Sequence, residues 1–78
     1  MNPQVQLLGE FLELQLSHGV RNGELIATHR SLEAFGLEYR SIKGTIDEAV
    51  SAGYVEKTLH GHGGAGTRFR LLKTPDAV

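Results

Sequence analysis

The order of hydrophobic patterns along this chain predicts an α+β fold of three helices, one short strand and a C-terminal β-hairpin. Three observations carry that expectation. Apolar residues recur at helical spacing near residues 5–16 and again near 42–50. Residues 54–60 and 68–72 alternate with the period of two that a half-buried strand requires. Glycines stand where each helical pattern stops, and a glycine-rich segment separates the two alternating runs.

The first helix is expected over about residues 3–18. Asn2 followed by Pro3 reads as an N-cap with proline at the first helical position. Val5, Leu7, Leu8, Phe11, Leu12, Leu14 and Leu16 cover an arc of roughly 200° at 100° per residue, whereas one core-facing stripe needs little more than about 100°. Gly19 is the expected C-terminal cap. Arg21-Asn22-Gly23 is a turn, and Glu24-Leu25-Ile26-Ala27 is a short strand. Thr28 caps a second helix from His29 to Phe35, which turns Leu32 and Phe35 inward and ends at Gly36. A third helix is expected over about residues 38–52, with Ile42, Ile46, Ala49 and Val50 on its inner face and Gly53 stopping it. The strand of residues 54–60, the loop Gly61-His62-Gly63-Gly64-Ala65-Gly66-Thr67 and the strand of residues 68–72 complete the hairpin. Residues 74–78 read as a frayed tail.

Two helices joined by a glycine-containing turn and followed directly by a β-hairpin make a winged helix-turn-helix. At 78 residues the chain is expected to be a single domain, with a core over about residues 3–73. A domain of this size buries only about 60% of the surface its unfolded chain exposes. The absence of cysteine excludes disulfides and thiolate metal sites. Met1-Asn2-Pro3-Gln4 has no basic stretch ahead of an apolar run, so no signal peptide is expected. No apolar run approaches the roughly 18 residues of a membrane span. The expected location is the cytoplasm, with no membrane association.

The net charge of −1 conceals a polarity. Residues 1–38 set Arg21 and Arg30 against Glu10, Glu13, Glu24, Glu33 and Glu38, a net −3. Residues 39–78 set Arg40, Lys43, Lys57, Arg68, Arg70 and Lys73 against Asp47, Glu48, Glu56 and Asp76, a net +2. The basic end is therefore the one that holds the third helix and the hairpin.

The stretch Asn22-Gly23-Glu24-Leu25-Ile26-Ala27-Thr28 resembles the small winged-helix proteins of bacterial plasmids and phages. So do Leu32-Glu33-Ala34-Phe35-Gly36-Leu37, Arg40-Ser41-Ile42 and Ala49-Val50-Ser51-Ala52-Gly53-Tyr54-Val55-Glu56. The similarity runs from about residue 5 to residue 73. It implies a three-helix domain with a recognition helix and one β-wing. It also implies a role in transcription regulation, replication initiation or recombination directionality.

In such a domain the start of the third helix meets base edges in the major groove. Tyr39, Arg40, Ser41, Lys43, Gly44 and Asp47 lie there, and Arg30 is the basic residue of the second helix. Arg40 would read guanine through a bidentate contact worth about 1–3 kcal/mol of discrimination. Gly44 is unusual in a helix interior, where glycine costs roughly 0.5–1 kcal/mol against alanine; close approach to a DNA backbone or to another helix would explain it. On the hairpin, Arg68 and Arg70 point to one face while Phe69 and Leu71 point to the other. Lys57 and Lys73 would join them in binding phosphate. His60 and His62 sit at the wing, and protonation below about pH 6.5 would strengthen their hold on phosphate. Against this stands a plainer reading, a solvated polar helix face and a hairpin whose charges discourage edge pairing.

Other chemistry has little support. Gly61-His62-Gly63-Gly64-Ala65-Gly66 matches G-x-G-x-x-G, but a dinucleotide site needs a helix directly after the glycines and here a strand follows. His18, His29, His60 and His62 lack cysteine or convergent carboxylates for a zinc site. Ser17, Ser31, Ser41 and Ser51 lack a nucleophile context. The expectation is therefore a non-enzyme with no cofactor, no metal and no small-molecule substrate, whose partner is double-stranded DNA. The alternative is a protein-interaction winged helix, such as a phage-encoded, anti-CRISPR-like inhibitor of a host nucleic-acid machine. The spare apolar arc of the first helix, with Leu7, Phe11 and Leu14, would make a two-fold homodimer or meet that host protein partner.

Overall fold

A three-stranded antiparallel sheet forms one layer and three helices form the other, in a computed structural model that describes residues 3–59 and 67–72. The elements are α1 (Pro3–Ser17), β1 (Leu25–Ala27), α2 (His29–Phe35), a 3-10 turn (Tyr39–Ser41), α3 (Ile42–Ser51), β2 (Val55–Leu59) and β3 (Thr67–Leu71). The strand order is β1-β3-β2, so the last strand lies in the middle. This small α+β arrangement is compatible with a winged helix. The Asn2 cap, the glycine-rich loop with His60 and His62, Lys73 and the tail lie outside the described residues.

The core sits between the layers. From the sheet come Leu25, Ala27, Val55, Phe69 and Leu71; from the helices come Val5, Leu8, Leu12, Leu32, Ile42, Ile46 and Ala49. Phe69, on the central strand, is fully buried. Leu7, Phe11, Leu16, Phe35 and Tyr54 pack around this centre, partly covered. The two phenyl rings of Phe11 and Phe35 meet edge to face at 5.2 Å. Such pairs add about 0.5–1.5 kcal/mol beyond their burial.

Helix boundaries follow local chemistry. The Thr28 side chain accepts the Ser31 N–H while the Ser31 hydroxyl accepts the Thr28 N–H, a reciprocal cap that starts α2. All three helices end in the same two-bond closure, as where Leu37 N–H donates to the Leu32 carbonyl and Gly36 N–H to the Glu33 carbonyl. That closure needs a left-handed residue, and Gly36 takes φ 126°.

Three features differ from the sequence expectations. Residues 39–41 form a 3-10 turn instead of the first turn of the third helix. Leu37 and Ile42 are both buried, and the four residues between them must turn tightly to return the chain to the core. On α3 the buried row is Ile42, Thr45, Ile46 and Ala49, with Thr45 only 3% exposed and Val50 38% exposed. Thr45 lies three residues from Ile42 and four from Ala49, at the centre of the stripe, whereas Val50 falls at its edge. In β2 the register slips between Lys57 and Leu59, which leaves Thr58 as an extra residue opposite β3. The slip turns Leu59 away from the core face, and it is 52% exposed.

In α1 the candidate dimer face is divided between core and surface. Leu7 and Phe11, offered above as a dimer face, are partly buried against the chain's own core. Of the three residues of that face Leu14 alone is well exposed, at 48%.

Two side-chain amides extend the sheet's bonding. Asn22 Nδ2 donates to the Leu71 carbonyl at 3.0 Å, and Leu71 N–H donates to Asn22 Oδ1 at 2.8 Å. Gln15 does the same for Ile26, at 2.8 and 3.0 Å. Ile26 belongs to an edge strand, so Gln15 covers backbone groups that β3 does not reach.

Candidate nucleic-acid interface

Helix α2 and the 3-10 turn meet at one corner. The His29 ring, at the first residue of α2, stands edge-on to Tyr39 at 5.8 Å. Arg30 and Arg40 are the chain neighbours of these two rings, and both are exposed. Tyr39 is 58% exposed. Lys43 and Gly44 follow in the first turn of α3, also exposed. Ser41 is half-buried at the N-cap position of α3 and makes no side-chain capping bond. Arg30, Arg40 and Lys43 form no ion pair among the described residues. This corner therefore presents three free cations and one exposed phenol.

The local sequence explains why these side chains face outward. Ile42, Thr45, Ile46 and Ala49 anchor α3 to the core. Positions 43, 44, 47 and 48 must then point away, because the helical repeat leaves them on the opposite side. Asp47 and Glu48 share this surface, one turn after Lys43, and both are exposed. The face is cationic at its start and anionic toward its end.

The hairpin divides differently from expectation. Arg68 and Arg70 do share the exposed face of β3, opposite buried Phe69 and Leu71. Arg70 is not free, however. It faces Glu56 in the register of the strands and donates to Glu56 Oε1 at 2.6 Å. Its guanidinium also lies against Gly23, where a Cβ would come within 3.3 Å of Nη2. Thr58, the extra residue of β2, donates its hydroxyl to the Gly23 carbonyl on the same side of the sheet. The turn before β1 is thus held onto the hairpin by Thr58 and by the Asn22 amide, with Arg70 packed beside it.

Lys57 is separated from the two arginines. It stands opposite Phe69 in register, and directly opposed residues share a face, so it belongs to the core side of the sheet. There it is half-buried and borders an open groove of about 640 Å³ between β2 and the end of α3, together with Asp47, Val50, Ser51 and Val55. Lys57 and Arg68 therefore lie on opposite faces of the sheet. Of the hairpin cations among the described residues, Arg68 is the exposed one without an ion pair.

Sequence reasoning singled out the corner residues but not the contact between His29 and Tyr39, because nothing in the spacing of residues 29 and 39 shows where the intervening turn brings them. It read Asn22 only as a turn residue; its second role follows from the register, in which β1 pairs no further than Leu25 with Phe69 and leaves Leu71 to the Asn22 amide. Among the described residues no group of His, Asp and Glu is placed to hold a metal ion. No described helix is long and apolar enough to cross a membrane. Comparison with protein-family models, with curated proteins and with solved structures found no match.

Proposed function

We propose that this chain is a winged helix-turn-helix domain that binds double-stranded DNA in the cytoplasm, as a transcription regulator or an accessory factor of a plasmid or phage. The 3-10 turn and the start of α3 enter the major groove, and the segment joining β2 to β3 lies along the backbone or in the minor groove. The observation that carries the reading is the corner where Arg30, Arg40 and Lys43 stand exposed, without ion-pair partners among the described residues, at the start of two consecutive helices. Unpaired cations around a helix start are the chemistry that phosphates and guanine edges select. The strand order β1-β3-β2, with the hairpin directly after α3, supports it. Arg68 adds a phosphate contact from the wing. No catalytic step, cofactor or metal is part of the proposal.

The test is fluorescence anisotropy of a labelled mixed-sequence duplex of about 25 base pairs, more than two turns of DNA. Wild type is compared with Arg40→Ala/Lys43→Ala at several salt concentrations. The expected result is binding that weakens steeply with salt, as counterion release demands. The double variant should bind more weakly, with a log–log salt slope smaller by about 1–2 units. Salt-insensitive binding, or a double variant equal to wild type, would overturn the proposal.

Two observations favour a second reading, in which the partner is a host protein. Glu56 already occupies Arg70, and the chain is net acidic. Under that reading the duplex is not bound at low salt, and a protein partner associates with little dependence on ionic strength.

A further inference from the structure

Gly44 is the one glycine within α3, and nothing inside the described structure calls for it. Gly36 and Gly53 take positive φ angles to close helices, and Gly23 is crowded by Arg70. Gly44 has neither reason. Its φ is not positive, and beyond its own helix backbone a Cβ added there would meet no atom of the described residues within 4 Å. Alanine would fit without strain and would favour the helix, because glycine loses more backbone freedom on folding. Packing of α3 against another helix of this chain does not account for the residue, since its surroundings are open.

The position is specific. The buried row of Ile42, Thr45, Ile46 and Ala49 turns Gly44 outward. Lys43 precedes it directly, and Arg40 lies one turn earlier, both exposed and without ion pairs among the described residues. A stretch of helix bare of side chain beside two free cations suits the wall of a nucleic-acid groove. The cations reach past it to phosphates or base edges while the helix backbone comes close.

We infer that Gly44 is the point at which the backbone of α3 approaches DNA most closely, and that its missing side chain sets the depth to which Arg40 and Lys43 reach. The inference rests on the DNA-binding reading given above. It makes Gly44 a positioning residue: the glycine weakens the free protein and strengthens the complex.

The experiment pairs stability with binding in Gly44→Ala and Gly44→Gln, using the full chain and the same duplex. Gly44→Ala should raise the melting temperature by about 2–8 °C. It should also weaken duplex binding about fivefold or more, the size of one lost contact, and Gly44→Gln should weaken it further as the side chain lengthens. If Gly44→Ala is more stable but binds as wild type while Arg40→Ala/Lys43→Ala loses affinity, the DNA reading stands and the close approach at Gly44 is overturned. If Gly44→Ala is less stable than wild type, the glycine answers an internal demand and the inference also fails. A duplex that wild type does not bind at low salt overturns the DNA reading and the inference with it.

Discussion

Asn22 does with one side chain what a longer β1 would have done with its backbone. Its amide donates to and accepts from Leu71, so both main-chain groups of a central-strand residue are paired where β1 has already ended. Gln15 makes the same double bond to Ile26, but at a more exposed site. Leaving a half-buried donor and acceptor unmet is more costly than losing a bond that water can replace. Asn22→Ala should therefore lower unfolding free energy by about 1–3 kcal/mol, and Gln15→Ala by about 0.5–1.5 kcal/mol, both measured by urea denaturation. The reverse ranking would show that Asn22 acts only as a turn residue. Neither role was legible in the sequence, because an amide in a turn or on a helix looks the same whether or not a strand stands opposite.

At the scale of elements, the local signals were the readable ones. Thr28 and Gly36 bound α2 where the sequence predicts, since a cap and a left-handed closure involve only neighbours in the chain. The start of α3 was not readable. Leu37 and Ile42 both go into the core, and the 3-10 turn between them moves Tyr39 and Arg40 off the α-helix proper. The hairpin shows the same limit. Alternation correctly separated Arg68 and Arg70 from Phe69 and Leu71, yet the extra residue Thr58 turned Leu59 out. Partnering across the strands then tied Arg70 to Glu56. This ion pair is half-exposed on both sides, so Glu56→Gln should change stability by less than about 1 kcal/mol. On the DNA reading it releases a cation on the wing face. Affinity for the duplex should rise and the salt slope steepen by up to about 1 unit. An unchanged or lower affinity, read by the same anisotropy titration, would mean that Arg70 lies away from the bound duplex.

The whole molecule depends on one central side chain. Phe69 is fully buried on the middle strand, in a core shared between the sheet and all three helices. Phe69→Ala should cost about 3–5 kcal/mol, against a total of roughly 5–15 kcal/mol for a domain. Thermal unfolding should show the melting transition lowered by well over 10 °C, about 4–8 °C per kcal/mol at this size. A small shift would mean that the two layers hold together without the central strand's anchor. Leu7 and Phe11 pack partly covered against the same core, while Leu14 stands exposed on α1.

What the residues determined alone is the succession of elements and the faces that periodicity assigns: a helix, a short strand, two more helices and a hairpin, with Arg30, Tyr39, Arg40 and Lys43 outside. Those depend on interactions within a few residues and on the repeat of helix or strand, both present in the sequence itself. Only the tertiary structure decided that Thr45 is buried, that Arg70 is paired while Arg68 has no ion pair among the described residues, and that Lys57 lies on the other face of the sheet. The open space around Gly44 was likewise decided there. Each of these depends on which residue stands opposite across a strand or helix contact, and a shift of one residue in register reverses it.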